Sequence, residues 1–137
     1  MFFVKKLKKM PKKTSIYTDG SCRGRVGGYA YIIIQEDYEL RWSDKVLDTT
    51  NNRMELLAVI EALKCLSSSQ TCDVYSDSQW VINCAQNLWK RNKNLDLWKL
   101  YDEISKNFII KYIWVKGHSG NIYNEQCDKL AYAELDK

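Results

Sequence analysis

No run of apolar residues in this chain approaches the roughly 20 needed to cross a bilayer as a helix, so a membrane-spanning role is not expected. The opening MFFVKKLKKMPKK is interrupted by lysines at once, so it offers no signal-peptide hydrophobic region. Cysteine is present but poorly arranged for staples. Cys22, Cys65, Cys72, Cys84 and Cys127 make an odd count with no CxxC pair, which argues against a disulfide framework or a structural zinc site. A reducing, cytoplasmic compartment is the expectation. There is no internal repeat of solenoid length, and no low-complexity segment beyond the lysine-rich start. Histidine is reduced to one residue, His118.

What remains is an ordinary globular composition, 45% hydrophobic and 28% charged over 137 residues, which suits one domain around one core. The net charge of +4 is unevenly spread. Lys5, Lys6, Lys8, Lys9, Lys12 and Lys13 crowd the start, and WKRNK follows at 89–93. Residues 1–13 therefore read as a basic tail and 14–137 as the domain. Such a tail either binds a polyanion or is simply a solvated end.

Along the chain, residues 14–19 read as a strand. Gly24, Gly27 and Gly28 mark a tight loop. The apolar run 29–35 reads as a buried strand, and 38–47 as its hairpin partner through Glu36 and Asp37. NNRMELLAVIEALKCL has helical period, with Asn51 or Asn52 as N-cap. Residues 72–76 form a short strand, 78–88 and 95–106 two helices, 108–115 an apolar strand and 123–135 a closing helix. Three strands followed by alternating helices and strands imply a mixed sheet covered by helices, an α/β fold.

Four carboxylates stand out against this pattern. YTDGSC puts Asp19 at the tip of the first strand, and YSDS puts Asp77 at the tip of another. Each has a plain explanation, a turn-forming Asp and an N-cap Asp respectively. Glu55 heads a helical face whose further members are Ala58, Val59 and Ala62, so it points at the sheet, or else it completes a capping box with Asn52. Asp128 heads the face of Asn124, Ala131 and Leu135, or is a first-turn acid favoured by the helix dipole. Four inward acids on separate elements would repel one another and resist desolvation unless a hard divalent cation joined them. Such a set suits a two-metal site for in-line phosphoryl displacement.

YTDGSC, TTNNRMELLAVIEAL, YSDSQWV, NLDLW and WVKGHSGNIYNEQCDKLA, in this order over about residues 14–135, resemble the signature segments of type 1 ribonuclease H. The resemblance implies a ribonuclease H-like fold, a five-stranded mixed sheet flanked by helices. It implies a monomeric endoribonuclease that needs divalent metal, two Mg²⁺ per site with Mn²⁺ able to substitute, and that cuts the RNA strand of RNA–DNA hybrids to leave 5′-phosphate and 3′-hydroxyl ends. A role around DNA replication, such as primer removal or R-loop clearance, is a family inference. Carried over, the metal-binding acids are Asp19, Glu55, Asp77 and Asp128, and His118 in KGHSGN moves protons or helps product leave. Asn51, Asn52 and Gln79 match residues that meet the minor groove of the hybrid, and Thr50 and Arg53 a phosphate of the DNA strand. Trp89 or Trp98 would lie along the DNA channel, with core packing the alternative for Trp98. Cys22 matches a position near substrate.

The chain departs from the pattern in two places. Its glycine loop, RGRVGGY, is short, with Arg25 where an Asn is expected, and only KRNKN separates Trp89 from Leu95, where many members carry an extra basic helix. Alternatives are a non-catalytic hybrid-binding module, disfavoured by the four acids, and the ribonuclease H part of a reverse-transcriptase-like system, disfavoured by a start at Met1 with its own tail. A transposase or integrase of the same fold is disfavoured by NNRMEL and KGHSG.

Overall fold

The computed structural model describes residues 13–67 and 70–137. In chain order the elements are β1 (Thr14–Arg23), β2 (Val26–Gln35), β3 (Tyr38–Leu47), α1 (Asn51–Lys64), β4 (Gln70–Ser76), α2 (Gln79–Ala85), α3 (Leu95–Ser105), β5 (Phe108–Trp114) and α4 (Ile122–Glu134). The sheet order is β3-β2-β1-β4-β5. Two hairpins make the first three strands antiparallel, while the crossover through α1 brings β4 in parallel to β1 and β5 parallel to β4. This is the five-stranded mixed sheet expected. Apart from Lys13, the lysine-rich tail lies outside the described residues. Lys13 itself belongs with the domain, because its Nζ pairs with Asp73 on β4 at 2.7 Å.

The apolar run of β2 is explained by helices on both faces. Tyr29, Tyr31 and Ile33 join the large core beneath α1, α2 and α3, whereas Ala30 and Ile32 pack with Cys127 and Ala131 of α4 on the other side. A strand buried on both faces loses the polar alternation of a half-exposed one. Trp98 is core, at 2% exposure, between Trp80 and Tyr101.

Three local expectations change. Only Gly24 lies in the first turn; Gly27 and Gly28 are inside β2. The reason at Gly28 is close approach, since a Cβ there would stand 2.2 Å from the carbonyl oxygen of Ala131 on α4. The N-cap of α1 is Thr50, whose hydroxyl accepts from the Arg53 N–H at 3.3 Å, so Asn51 and Asn52 are helical and exposed. The third is β1, which does not stop at Asp19 but runs on to Arg23 against β2. What stops is its pairing with β4, last seen at Tyr17 opposite Tyr75.

Candidate active site

Asp19 therefore sits where the sheet splits. Beyond Tyr75, β4 gives only Ser76 before the chain turns, through the cap Ser78, into α2, and Asp77 is the residue at that bend. Open sheets commonly bind ligands at the carboxyl ends of such diverging strands. Gly20 brings in the third acid. A Cβ on Gly20 would lie 2.4 Å from the amide nitrogen of Glu55, so only glycine lets α1 approach β1 this closely. The capping-box alternative for Glu55 falls with the move of the N-cap to Thr50, which places Glu55 in the second turn. Asp128, likewise, is well inside α4, whose N-cap is Asn121, and is not a first-turn acid.

One carboxylate oxygen from each of Asp19, Glu55 and Asp77 lies within 4.8 Å of the others. Asp19 is 3% exposed and Glu55 7% exposed; Asp77 and Asp128 are half-buried. Asp19 Oδ1 accepts from the N–H of Gly20 at 2.9 Å, but its Oδ2 and Glu55 Oε1 are buried without a hydrogen-bond partner among the described residues. Burial, and then the charges of Glu55, Asp77 and Asp128, push the Asp19 carboxyl far above the usual carboxylate range. Burial followed by Asp77 does the same to Glu55. Asp77 is raised more modestly, by burial and then Asp128, with His118 acting in the opposite direction. A buried, mutually repelling, all-oxygen set with orphaned lone pairs matches what a hard divalent cation requires and what a protein alone leaves unsatisfied. The site thus fits the divalent metal that the resemblance implies.

His118 is exposed and holds a left-handed backbone, φ 57°, in the loop before α4. That loop is seated against Asp77: a Cβ on Gly117 would stand 3.1 Å from Asp77 Oδ2. Nearby, the indole Nε1–H of Trp114 donates to the Asp77 carbonyl at 3.2 Å. The sequence does not record this anchor: Trp114 reads there as part of the apolar strand 108–115 and as the first residue of WVKGHSGNIYNEQCDKLA.

The expected substrate residues divide. Thr50, Asn51 and Asn52 crown α1 one turn above Glu55, and Gln79 opens α2 two residues after Asp77; all are exposed. Trp89 is 47% exposed. The Cys22 thiol is half-buried and directed at the carbonyl of Gly24, 3.2 Å away, which is a packing role. Arg53 is already engaged. Its guanidinium grips the Asp96 carboxylate with two bonds of 2.8 and 3.0 Å and donates to Asn94 Oδ1 at 3.2 Å. In WKRNK, Arg91 also turns inward. It donates to the carbonyls of Cys84 and Ala85, pairs with Asp102, and lies over the Trp98 ring at 4.3 Å.

Among the described residues no helix is long and apolar enough to cross a membrane. The family model described as RNase H matches residues 11–136. The chain is 46% identical over 142 residues to a ribonuclease H of Acetivibrio thermocellus, covering 92% of this chain and 97% of that one. A ribonuclease HI of Campylobacter jejuni is 41% identical over 130 residues, with 88% and 89% covered. Among solved structures, the N-terminal RNase H domain of a Mycobacterium tuberculosis protein, fused to maltose-binding protein, superposes with a TM-score of 0.78 at 25% identity, over 90% of this chain and 94% of that one. An RNase H1 from the halophilic archaeon Halobacterium salinarum gives 0.76 at 25% identity, over 90% and 98%. With the acids, the sheet and these relatives in agreement, the chain belongs to the type 1 ribonuclease H family, a family of enzymes.

Proposed function

We propose that this enzyme hydrolyses the RNA strand of RNA–DNA hybrids internally, leaving 5′-phosphate and 3′-hydroxyl ends. The observation that carries the reading is the meeting of Asp19, Glu55 and Asp77 from three elements, with buried carboxylate oxygens that no group among the described residues satisfies. Asp19, Glu55, Asp77 and Asp128 would hold the divalent cations, with Mg²⁺ matching the hard, all-oxygen donors. Two such cations, when bound, supply Lewis-acid stabilisation of the attacking and leaving oxygens of an in-line displacement. His118, exposed on its loop beside Asp77, carries a proton to or from the reacting oxygens near neutral pH.

Asn51, Asn52 and Gln79 offer both donors and acceptors at the mouth of the acid cluster, so they suit the 2′-hydroxyls and base edges of a minor groove. Because only RNA has the 2′-hydroxyl, these contacts give strand choice. The five free thiols fit a reducing, cytoplasmic setting. The test is incubation with end-labelled hybrid, double-stranded RNA and double-stranded DNA, with Mg²⁺ or with chelator. Internal cuts in the hybrid's RNA strand, seen only with metal, are expected. Equal cutting of double-stranded DNA, or unchanged cutting in chelator, overturns the reading.

A further inference from the structure

Residues 86–94 run where many family members carry an extra basic helix, yet they are not a slack connection. The N–H groups of Leu88 and Trp89 both donate to the carbonyl of Asn83, at 2.8 and 3.1 Å. Arg91 then binds the last carbonyls of α2 and stacks on Trp98, fixing the middle of the segment to the core. The far end is held by Arg53. Asn94 is the N-cap residue of α3, but its side chain makes no cap bond and accepts from Arg53 instead. Asp96, in the first turn of α3, gives both oxygens to the same guanidinium. Asn94 thus leaves α3 without a side-chain cap and ties instead across 41 residues to the first turn of α1, as Asp96 does across 43. Trp89, Lys90 and Lys93 are left exposed on the pinned segment.

We propose that Arg53 and Asp96 form a strut that sets the distance between Asn51 and Asn52 on α1 and the exposed Trp89, Lys90 and Lys93. Both are positioning residues for nucleic acid. The inference rests on the hybrid-binding reading above. A rigid pair of contact patches is matched to one duplex width, and a loose pair is not, so the strut contributes to hybrid affinity without touching substrate. It also removes Arg53 from the phosphate contacts: Asp96 cancels its charge and occupies its fork.

The two roles for Arg53 predict opposite signs. Removing Asp96 frees a guanidinium. If Arg53 served as a phosphate contact, Asp96→Ala would tighten hybrid binding and steepen its salt dependence, because an added cation releases a further counterion. As a strut, loss of Asp96 weakens binding. The experiment measures KM and kcat on a long hybrid, and hybrid affinity in chelator across a range of salt, for the intact chain, Asp96→Ala, Asp96→Glu, Trp89→Ala/Lys90→Ala/Lys93→Ala, and that triple variant combined with Asp96→Ala. Expected are a KM raised by about tenfold with kcat unchanged in Asp96→Ala, substantial rescue by Asp96→Glu, and no further loss when Asp96→Ala is added to the triple variant. That non-additivity is what a strut acting through those three side chains produces, and a purely structural loss does not. Tighter binding in Asp96→Ala, or full additivity with the triple variant, overturns the proposal. Cleavage of the hybrid by the intact chain in the same assay tests the underlying function separately. Asp96 is largely exposed, so its removal leaves the fold in place.

Discussion

Glu55 and Glu134 are both glutamates that a helix turns inward, and both are nearly buried. Their surroundings differ completely. Glu134, near the end of α4, accepts from the Ser43 hydroxyl at 2.6 Å and from Lys137 Nζ at 2.7 Å. Burial works against its charge, but these hydrogen bonds outweigh burial and hold its carboxyl below the ordinary value. Among the described residues Glu55 pairs with no cation, has an orphaned Oε1, and faces two further acids. The lesson is that burial does not mark a functional acid. An unpartnered buried carboxylate does, because the chain retains a destabilising feature that folding alone gives no reason to keep.

The largest expected effect comes from removing charge at the unpartnered site. Asp19→Asn, Glu55→Gln and Asp77→Asn each lower kcat by on the order of 10³-fold or more, since an amide cannot replace an anionic ligand. The folded protein remains intact and its metal-free melting temperature holds or rises, because repulsion within the cluster falls. Full activity in Asp77→Asn at saturating Mg²⁺ would remove Asp77 from the site. Next in size is His118→Ala, with kcat reduced on the order of 10²-fold or less and hybrid affinity little changed. A change in KM alone would make His118 a binding residue.

Much of this was readable from the order of residues, for identifiable reasons. The inward direction of Glu55 and Asp128 follows from helical period, because the small residues that share their faces, Ala58, Ala62 and Ala131, must pack. Capping was not readable at Thr50, because Thr50, Asn51 and Asn52 are three good N-cap residues in a row and local chemistry does not choose between them. The Arg53–Asp96 pair was invisible for another reason: it joins α1 to α3 through tertiary packing, and no local pattern records it. Arg91 read as part of a basic surface, although its guanidinium lies over a core tryptophan. The role of Gly20 was half legible. A glycine directly after the strand-tip Asp19 in YTDGSC suits a close approach, but nothing local records that the approaching group is the backbone of α1 carrying Glu55.

Titration separates the two glutamates without mutation. The carboxyls of Asp19, Glu55 and Asp77 have raised pKa values in the folded chain, so their neutral forms are favoured by folding. Their contribution is fully present below the unfolded pKa near 4 and is lost as pH rises through the folded values, which for Glu55 means up to about 8. In chelator the intact protein should therefore lose stability from about pH 5 through pH 8 and on toward the still higher value of Asp19, and added Mg²⁺ should restore it by binding the charged forms. A flat stability profile across that range would show that the acids are not coupled as their proximity implies.

The smallest effect, and the sharpest contrast, is Glu134→Gln set beside Glu55→Gln. At Glu134 the folded pKa is lowered, so its contribution is present above the unfolded pKa and lost as pH falls through the folded one. The amide keeps an acceptor for Ser43 but loses the charge that draws Lys137, whose ammonium is largely exposed and screened. Glu134→Gln should then cost about 1 kcal/mol at neutral pH, and less near pH 3, with kcat and KM unchanged. In chelator, Glu55→Gln should be increasingly stabilising as pH rises from about 7 to about 9, because burial and the neighbouring acids make the charged form of Glu55 costly, with activity lost throughout. Denaturant unfolding of both variants near pH 3, 7 and 9, read beside hybrid cleavage, gives the comparison. If Glu134→Gln impaired cleavage while leaving stability untouched, pairing would no longer distinguish a structural buried acid from a functional one in this fold.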